Sequence, residues 1–290
     1  MDLRKWVEQL TPEEQKQFLS TIAPIAKELR PSAETKQSSK EWFMAEINVL
    51  KLEYLLTISQ PKEPDESVVE QFASKSIRLY TIGSRLKLEE AYEAGCLAIS
   101  SLGLLHHLQV RSEFPSSQQV SRGESPNERL LTQAGFLAQH LASTESGKQN
   151  RPLLLLAIRV LLFAGLGSLA FQLYPLVKVK EMLHETCSHV LLTGISQSHP
   201  LDATGAQKGS PDDELTHVIN TLNRMTHRID GFLSNDIGVF QFDQAFEMRS
   251  FKHNLRSSLT KHICALERRR LVRLQSGPMD ILLNLERLGN

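Results

Sequence analysis

Apolar residues recur along most of the chain with the three-to-four-residue spacing of amphipathic helices. One such series consists of Trp42, Ala45, Val49, Leu52 and Leu56, and another of Leu88, Ala91, Tyr92, Gly95 and Ile99. No stretch of the sequence shows the strict alternation of apolar and polar residues that half-buried strands display. We therefore predict an all-α fold in which neighbouring helices run antiparallel and are joined by short turns.

Two further patterns place helix ends. Thr11-Pro12-Glu13-Glu14 is typical of a helix start, with a threonine cap, proline at the first position and acids in the first turn. At the other end, one long helix is predicted from Phe242 to about Leu274. Its predicted apolar stripe consists of Phe251, Leu255, Leu259, Ile263 and Leu266.

The most apolar stretch, residues 153–177, carries a single charge, Arg159. Its length is sufficient for a membrane span. A buried helical hairpin is the better account, because "AGLGS" at 164–168 favours a turn and Pro175 ends or kinks the second helix. Ala170 and Tyr174 then lie four residues apart on one helix face, as in a tetratricopeptide-like hairpin. We predict a superhelix of such hairpins.

Composition along the chain predicts three parts. Residues 1–110 form N-terminal helical hairpins, and residues 111–127, rich in Ser, Gln and Pro, form a flexible linker. A helical-repeat region follows from 128 to 290, with a loop at 198–212.

Charge and cysteine content narrow the class of protein. The 290 residues hold 33 Lys and Arg against 33 Asp and Glu, so the formal net charge is zero. A general polyanion-binding surface is therefore not expected, although a local basic patch remains compatible with this balance. Three cysteines without regular spacing indicate a reducing compartment, and the first residues lack a signal-peptide core. We expect a cytoplasmic protein without DNA or membrane as partner.

Candidate chemistry is sparse. "HETCSH", residues 184–189, begins like a zinc-peptidase motif, but its histidines are five residues apart rather than four. On a helix they would point roughly 140° apart, and two ligands on one face do not make a zinc site. We therefore predict an ordinary helix from 179 to about 197, with Met182, Leu183, Val190 and Leu191 in the core. No catalytic residue, cofactor site or metal ligand is predicted.

The order of residues in two segments is more informative. "LLLLAIRVLLFAGLGSLAFQLYPLVKVKEMLHETCSHVLL" (153–192) and "FDQAFEMRSFKHNLRSSLTKHICALERRRL" (242–271) resemble the auxiliary, non-catalytic subunit of the N-terminal acetyltransferase B complex, NatB. The matching positions in the first segment are Arg159, Gly165, Ala170, Tyr174, Leu176, Val177, Lys178, Val179, Lys180 and Thr186. Those in the second are Phe251, Leu255, Ser258, Leu259 and Glu267. His184, Glu185 and Cys187 depart from the family pattern.

The resemblance implies a specific role. Members of that family form an α-helical superhelix around a small catalytic subunit that binds acetyl-coenzyme A, and they carry no chemistry themselves. They help to place the enzyme at the ribosome, where it acetylates N-termini that begin Met-Asp, Met-Glu, Met-Asn or Met-Gln. The chain is also shorter than a full auxiliary subunit, so we expect it to lack most N-terminal repeats and the C-terminal part.

Five basic residues are the candidate contacts to the catalytic subunit or to the ribosome. They are Lys178, Lys180, Arg249, Lys252 and Arg256. The last three share one helix face by their spacing. The alternatives are solvated side chains on ordinary helices and, for the whole chain, a free-standing helical-repeat adaptor.

Overall fold

The computed structural model describes residues 10–28, 36–59, 64–113, 126–200, 209–235 and 242–275. These residues form two compact units, one ending at Val160 and the other beginning at Leu161. Over the described ranges the chain consists of helices and turns without a strand, which confirms the predicted all-α class.

The described residues of the first unit form six helices that lie entirely within it. They are α1 (Pro12–Glu28), α2 (Lys36–Glu53), α3 (Glu66–Arg85), α4 (Ala91–Glu113), α5 (Pro126–Ser143) and α6 (Glu145–Gln149). A π-helical turn, Tyr54–Ile58, continues α2. The next helix, α7 (Arg151–Phe163), carries the division between the units.

The start of α1 has the predicted cap. The Glu14 N–H donates to Thr11 Oγ1 at 3.3 Å, and the Thr11 N–H donates to Glu14 Oε2 at 2.7 Å. Each side chain thus satisfies a backbone donor that the helix itself leaves without a partner.

The core of the first unit lies where α4 packs against α3 and α5. Phe43, Ile47 and Phe72 are fully buried there. Gly83 of α3 is essential to this packing, because a Cβ atom at that position would overlap the Phe43 ring. The small residue therefore lets the Phe43 ring lie directly on the α3 backbone.

The predicted linker, residues 111–127, overlaps the end of α4 and the start of α5. Residues 114–125 lie outside the described residues. The two compact units divide later in the chain, at Val160. The three-part division at 110 and 127 stays a prediction beside this division into units.

In the part of the second unit that the structure describes, the end of α7 is followed by six further helices. They are α8 (Gly167–Leu173), α9 (Leu183–Cys187), α10 (Ile195–Ser198), α11 (Pro211–Asn235), α12 (Phe242–Arg256) and α13 (Leu259–Gln275). Three 3₁₀ turns lie among them, at Tyr174–Val177, Ser188–Val190 and Leu192–Gly194. Both α12 and α13 pack against α11.

The turn between α7 and α8 confirms the interpretation of "AGLGS". Gly165 has φ +73°, a left-handed conformation that glycine adopts without strain. Its N–H donates to the carbonyl of Leu162 at 3.0 Å, and the Leu166 N–H donates to that of Leu161 at 2.8 Å. This is a Schellman cap, which ends α7 and satisfies its last carbonyls. Within the described ranges no helix is both long and apolar enough to cross a membrane.

The prediction of one helix from 179 to about 197 is wrong. Lys178 and Glu181 adopt left-handed conformations, with φ +53° and +40°. From there to Ser198 the chain forms only short helices and 3₁₀ turns. Hydroxyl groups contribute to the breaks, since Thr193 Oγ1 donates to the His189 carbonyl at 2.7 Å.

The single long final helix is also wrong, because the chain breaks at Ser257 and Ser258. Ser257 Oγ donates to the His253 carbonyl at 3.0 Å and closes α12. Ser258 Oγ accepts from the Lys261 N–H at 3.0 Å and caps the start of α13. The break changes which residues face inward. Leu255 is buried, whereas Leu259 and Leu266 of the same predicted stripe are exposed.

We expect Gly167→Ala to destabilise the second unit by about 2 kcal/mol or more, because its Cβ would overlap the Ser198 carbonyl oxygen. The measurement is the midpoint of urea unfolding by circular dichroism. Gly231→Ala is the matched control, since an added Cβ at this position in α11 meets open space. That variant should be stabilised by up to about 1 kcal/mol. Equal midpoints for the two variants would contradict the close approach at Gly167.

Candidate partner-binding surface

The segment that leads from α8 to α9 exposes the first two candidate lysines. Pro175 lies in the 3₁₀ turn that follows α8, and Lys178 ends that turn with its left-handed backbone. Lys178 and Lys180 are both exposed. Both lysines are thus exposed on the short segment that connects α8 and α9.

Lys180 lines a groove against α11. The groove has a volume of about 450 Å³, and its other walls are Val179, Glu181, Met182, His184, His217, Thr221 and Arg224. A second groove of about 430 Å³ is lined by His217, Asn220, Asn223, Arg224 and His227. Because both grooves share His217 and Arg224, together they follow the outer face of α11. We call this combined feature the α11 groove.

Positive and neutral polar groups predominate in the α11 groove. Arg224 donates to Thr221 Oγ1 at 3.0 Å, which orients its guanidinium on the helix surface. Glu181 is the acidic residue of the lining, and Arg228 donates to its Oε1 at 3.0 Å. This ion pair is exposed, so its contribution to stability is small. The lining thus carries the charges of Lys180 and Arg224 against one carboxylate, that of Glu181.

The other candidate residues lie on α12. Lys252 forms an ion pair with Asp230 of α11, and the hydrogen bond from Lys252 lowers the pKa of Asp230. The charge of Arg256 lowers the same pKa further. The structure thus brings Lys252 and Arg256 to the C-terminal half of α11, the helix that Lys180 meets at its N-terminal half. Arg249 is exposed on α12.

Beneath the α11 groove, His184 and Ser188 of "HETCSH" take part in a buried hydrogen-bond network. His184 is 3% exposed, and its Nδ1 lies 3.1 Å from Ser188 Oγ. The Tyr174 hydroxyl lies 2.9 Å from the same Ser188 oxygen. The His184 and His217 rings meet edge to face at 5.5 Å. Burial, and to a lesser degree the charge of His217, lowers the pKa of His184 to about 4.

The expectation that Met182 lies in the core is wrong. Met182 is 48% exposed at the rim of the groove, while the polar His184 takes the interior position. The cause is the shortening of the helix, because α9 begins only at Leu183. Of the other residues predicted for the core, Leu191 is buried and Leu183 and Val190 are half-buried, so the prediction fails at Met182.

Two glutamates tie this segment and its neighbours to α13. Ser258 Oγ donates to Glu185 Oε2 at 2.5 Å, and Thr260 Oγ1 donates to the Glu185 carbonyl at 3.2 Å. Glu267 is fully buried and accepts from the Ser196 N–H at 2.9 Å and from Arg270 at 2.5 Å. Both of its carboxylate oxygens are therefore satisfied, as a buried charge requires.

Sequence reasoning missed the contribution of α11 to the groove. His217, Arg224 and His227 recur seven and three residues apart, which places them on one side of the helix. That spacing was a usable signal. The partnership of Glu267 with Ser196 joins residues 71 positions apart and had no local signal.

Among the described residues no three His, Cys, Asp or Glu side chains are grouped so that they could hold a metal ion. Burial raises the pKa of the Cys264 thiol to about 12, which makes it a poor nucleophile. The fold and this surface define an all-helical protein with exposed basic side chains beside the α11 groove.

The family is given by sequence comparison. The model of the N-acetyltransferase B complex (NatB) non-catalytic subunit matches residues 1–288. The chain belongs to this family, and it is therefore the non-catalytic component of an acetyltransferase complex rather than the enzyme. No curated protein and no solved structure matches the chain.

Stability should depend on the protonation of His184. Its pKa in the folded chain is about 4, against an ordinary value of 6.5. Between these values the unfolded chain binds a proton that the folded chain excludes. The free energy of unfolding should therefore fall as pH decreases from about 6.5 to 4, by at most about 3 kcal/mol.

His184→Gln should flatten this part of the pH profile, measured by urea unfolding at several pH values. His189→Gln is the matched control, because His189 is exposed and lies in the same segment. An unchanged slope in the His184 variant, with the same slope in the control, would show that His184 is not the group responsible.

Proposed function

We propose that the chain scaffolds the catalytic subunit of NatB in the cytoplasm and aids its association with the ribosome. The substrates are N-termini that begin Met-Asp, Met-Glu, Met-Asn or Met-Gln, acetylated during translation. The family match over residues 1–288 is the observation that carries this proposal. We further propose that its helical hairpins are tetratricopeptide-like, as the burial of Ala170 and Tyr174 supports.

Local electrostatics supports the ribosomal part of the proposal. The chain has a net charge of zero, so attraction to phosphate must come from particular patches. Lys178, Lys180, Arg249 and Arg256 are exposed in the second unit. Ribosomal RNA would be held through phosphate contacts, which are sensitive to salt. Lys252 would contribute less, since it is already paired with Asp230.

The auxiliary role is tested by co-expression of the tagged chain with the NatB catalytic subunit. We expect the two proteins to elute together with equal stoichiometry. Acetylation of a Met-Asp or Met-Glu peptide should exceed that of the catalytic subunit alone. A folded chain that never co-elutes would contradict the proposal and favour the free-standing adaptor instead.

The ribosome contact is tested by co-sedimentation with purified ribosomes over a range of salt. The variant carries Lys178→Glu, Lys180→Glu, Arg249→Glu and Arg256→Glu. We expect weaker binding and a salt dependence whose slope falls by about one unit for each phosphate group that the variant no longer neutralises. Arg78→Glu with Arg85→Glu, two exposed positions of α3, is the control for general charge effects. Equal binding of both variants and the unsubstituted chain would exclude these residues as the ribosome-binding surface.

A further inference from the structure

One side of α13 exposes a row of large apolar side chains. Leu259 is 69% exposed, Leu266 is 50% exposed and Leu274 is 60% exposed. Ile263 lies among them and is half-buried. Spacings of four, three and eight residues place all four on one side of the helix. We call these four residues the α13 stripe.

The α13 stripe is not needed to hold α13 in the second unit. The face that packs inward consists of other residues, Thr260, Cys264, Glu267 and Leu271, all of them buried. This inward face contacts α11, α10 and the Leu192–Gly194 turn. An apolar row that is left in water after the helix has packed is typical of an interaction site.

Exposed basic side chains border the α13 stripe on its solvent side. They are His262, Arg269 and Arg273, which recur seven and four residues apart. Arg268, on another side of the helix, forms an ion pair with Asp212 at 2.8 Å. Arg270 lies within the α13 stripe, four residues from both Leu266 and Leu274, and its guanidinium is paired with Glu267. A complementary surface would therefore present apolar side chains bordered by carboxylates.

We propose that the α13 stripe is a docking site for the catalytic subunit of the complex, through an amphipathic helix bordered by Asp or Glu. This inference rests on the proposed function and adds the surface that serves it. Binding places an apolar helix face against the leucines, and the carboxylates meet Arg269 and Arg273.

Charge also disfavours the most direct alternative occupant. A second copy of the chain docked on the same stripe by two-fold symmetry would bring Arg269 and Arg273 of both copies together. Like charges at close range oppose that arrangement. A nucleic-acid partner is disfavoured because the stripe offers leucines rather than aromatic rings for stacking bases.

The test measures the dissociation constant between the purified chain and the catalytic subunit by biolayer interferometry. The variant carries Leu259→Gln, Leu266→Gln and Leu274→Gln. We expect the dissociation constant to rise at least tenfold, with an unchanged circular dichroism spectrum. The matched control carries Val68→Gln, Ile77→Gln and Phe136→Gln, which are exposed apolar positions of the first unit. It should bind like the unsubstituted chain.

A second variant, Arg269→Glu with Arg273→Glu, tests the basic side chains beside the α13 stripe and leaves the leucines unchanged. Its affinity should fall at least fivefold at low salt, and the difference should shrink as salt increases. If the leucine variant fails to fold, the arginine variant alone tests whether the catalytic subunit binds at the α13 stripe.

Four other results would each contradict the docking site in a different way. Binding by the unsubstituted chain that neither variant weakens would overturn the docking site and leave the auxiliary role intact. Absence of any binding by the folded chain would overturn both. A dimer in light scattering that the leucine variant dissolves would identify a second copy as the occupant. Tighter binding by a chain ending at Gln275 would identify residues 276–290 as the occupant. Either of these two results overturns the proposal.

Discussion

The second unit depends on one buried carboxylate. Glu267 has no exposed surface, and its two oxygens accept from the Ser196 backbone and from Arg270. Removing it would leave the buried Ser196 N–H without an acceptor, which costs more than the net value of the hydrogen bond itself, whereas the exposed Arg270 guanidinium could bind water instead. The carboxylate also selects the rotation of α13. With Glu267 turned inward, the leucines that lie about a quarter turn away must face solvent. The exposed α13 stripe is thus a consequence of satisfying a charge in the interior.

Much of the fold could be predicted from the sequence because its signals are local. The Thr11 cap, the glycine turn at Gly165 and the helical spacing of apolar residues each act within one or two turns of chain. The breaks at Ser257 and Ser258 depended on hydroxyl groups that bond to backbone or to Glu185. Serine occurs both in helix interiors and at helix caps, so the local sequence does not decide between a continuous helix and a break. At Ser258 the hydroxyl bonds to Glu185, which lies 73 residues away in the sequence.

Part of the geometry around the candidate residues also follows from local sequence features. The exposure of Lys178 and Lys180 follows from the proline and the left-handed turn beside them, which are local features. The groove that receives Lys180 required knowledge of which face α11 turns outward and of which segment lies beside it. The interior position of His184 required the exact start of α9, which lies at Leu183, four residues after the predicted start at 179. Errors in helix limits therefore became errors about which residues are accessible to a partner.

Each compact unit contains a cysteine whose pKa is raised by its surroundings. Burial raises the pKa of Cys96 in the first unit to about 11 and that of Cys264 in the second to about 12. Since alkylating reagents attack the thiolate, the buried Cys264 reacts only when the surrounding structure opens, and the half-buried Cys96 reacts more slowly than an ordinary thiol. The rate of modification of Cys264, read by mass spectrometry of its peptide, therefore reports the local opening of the second unit. The second unit thus carries a natural probe of its own opening, without any introduced label.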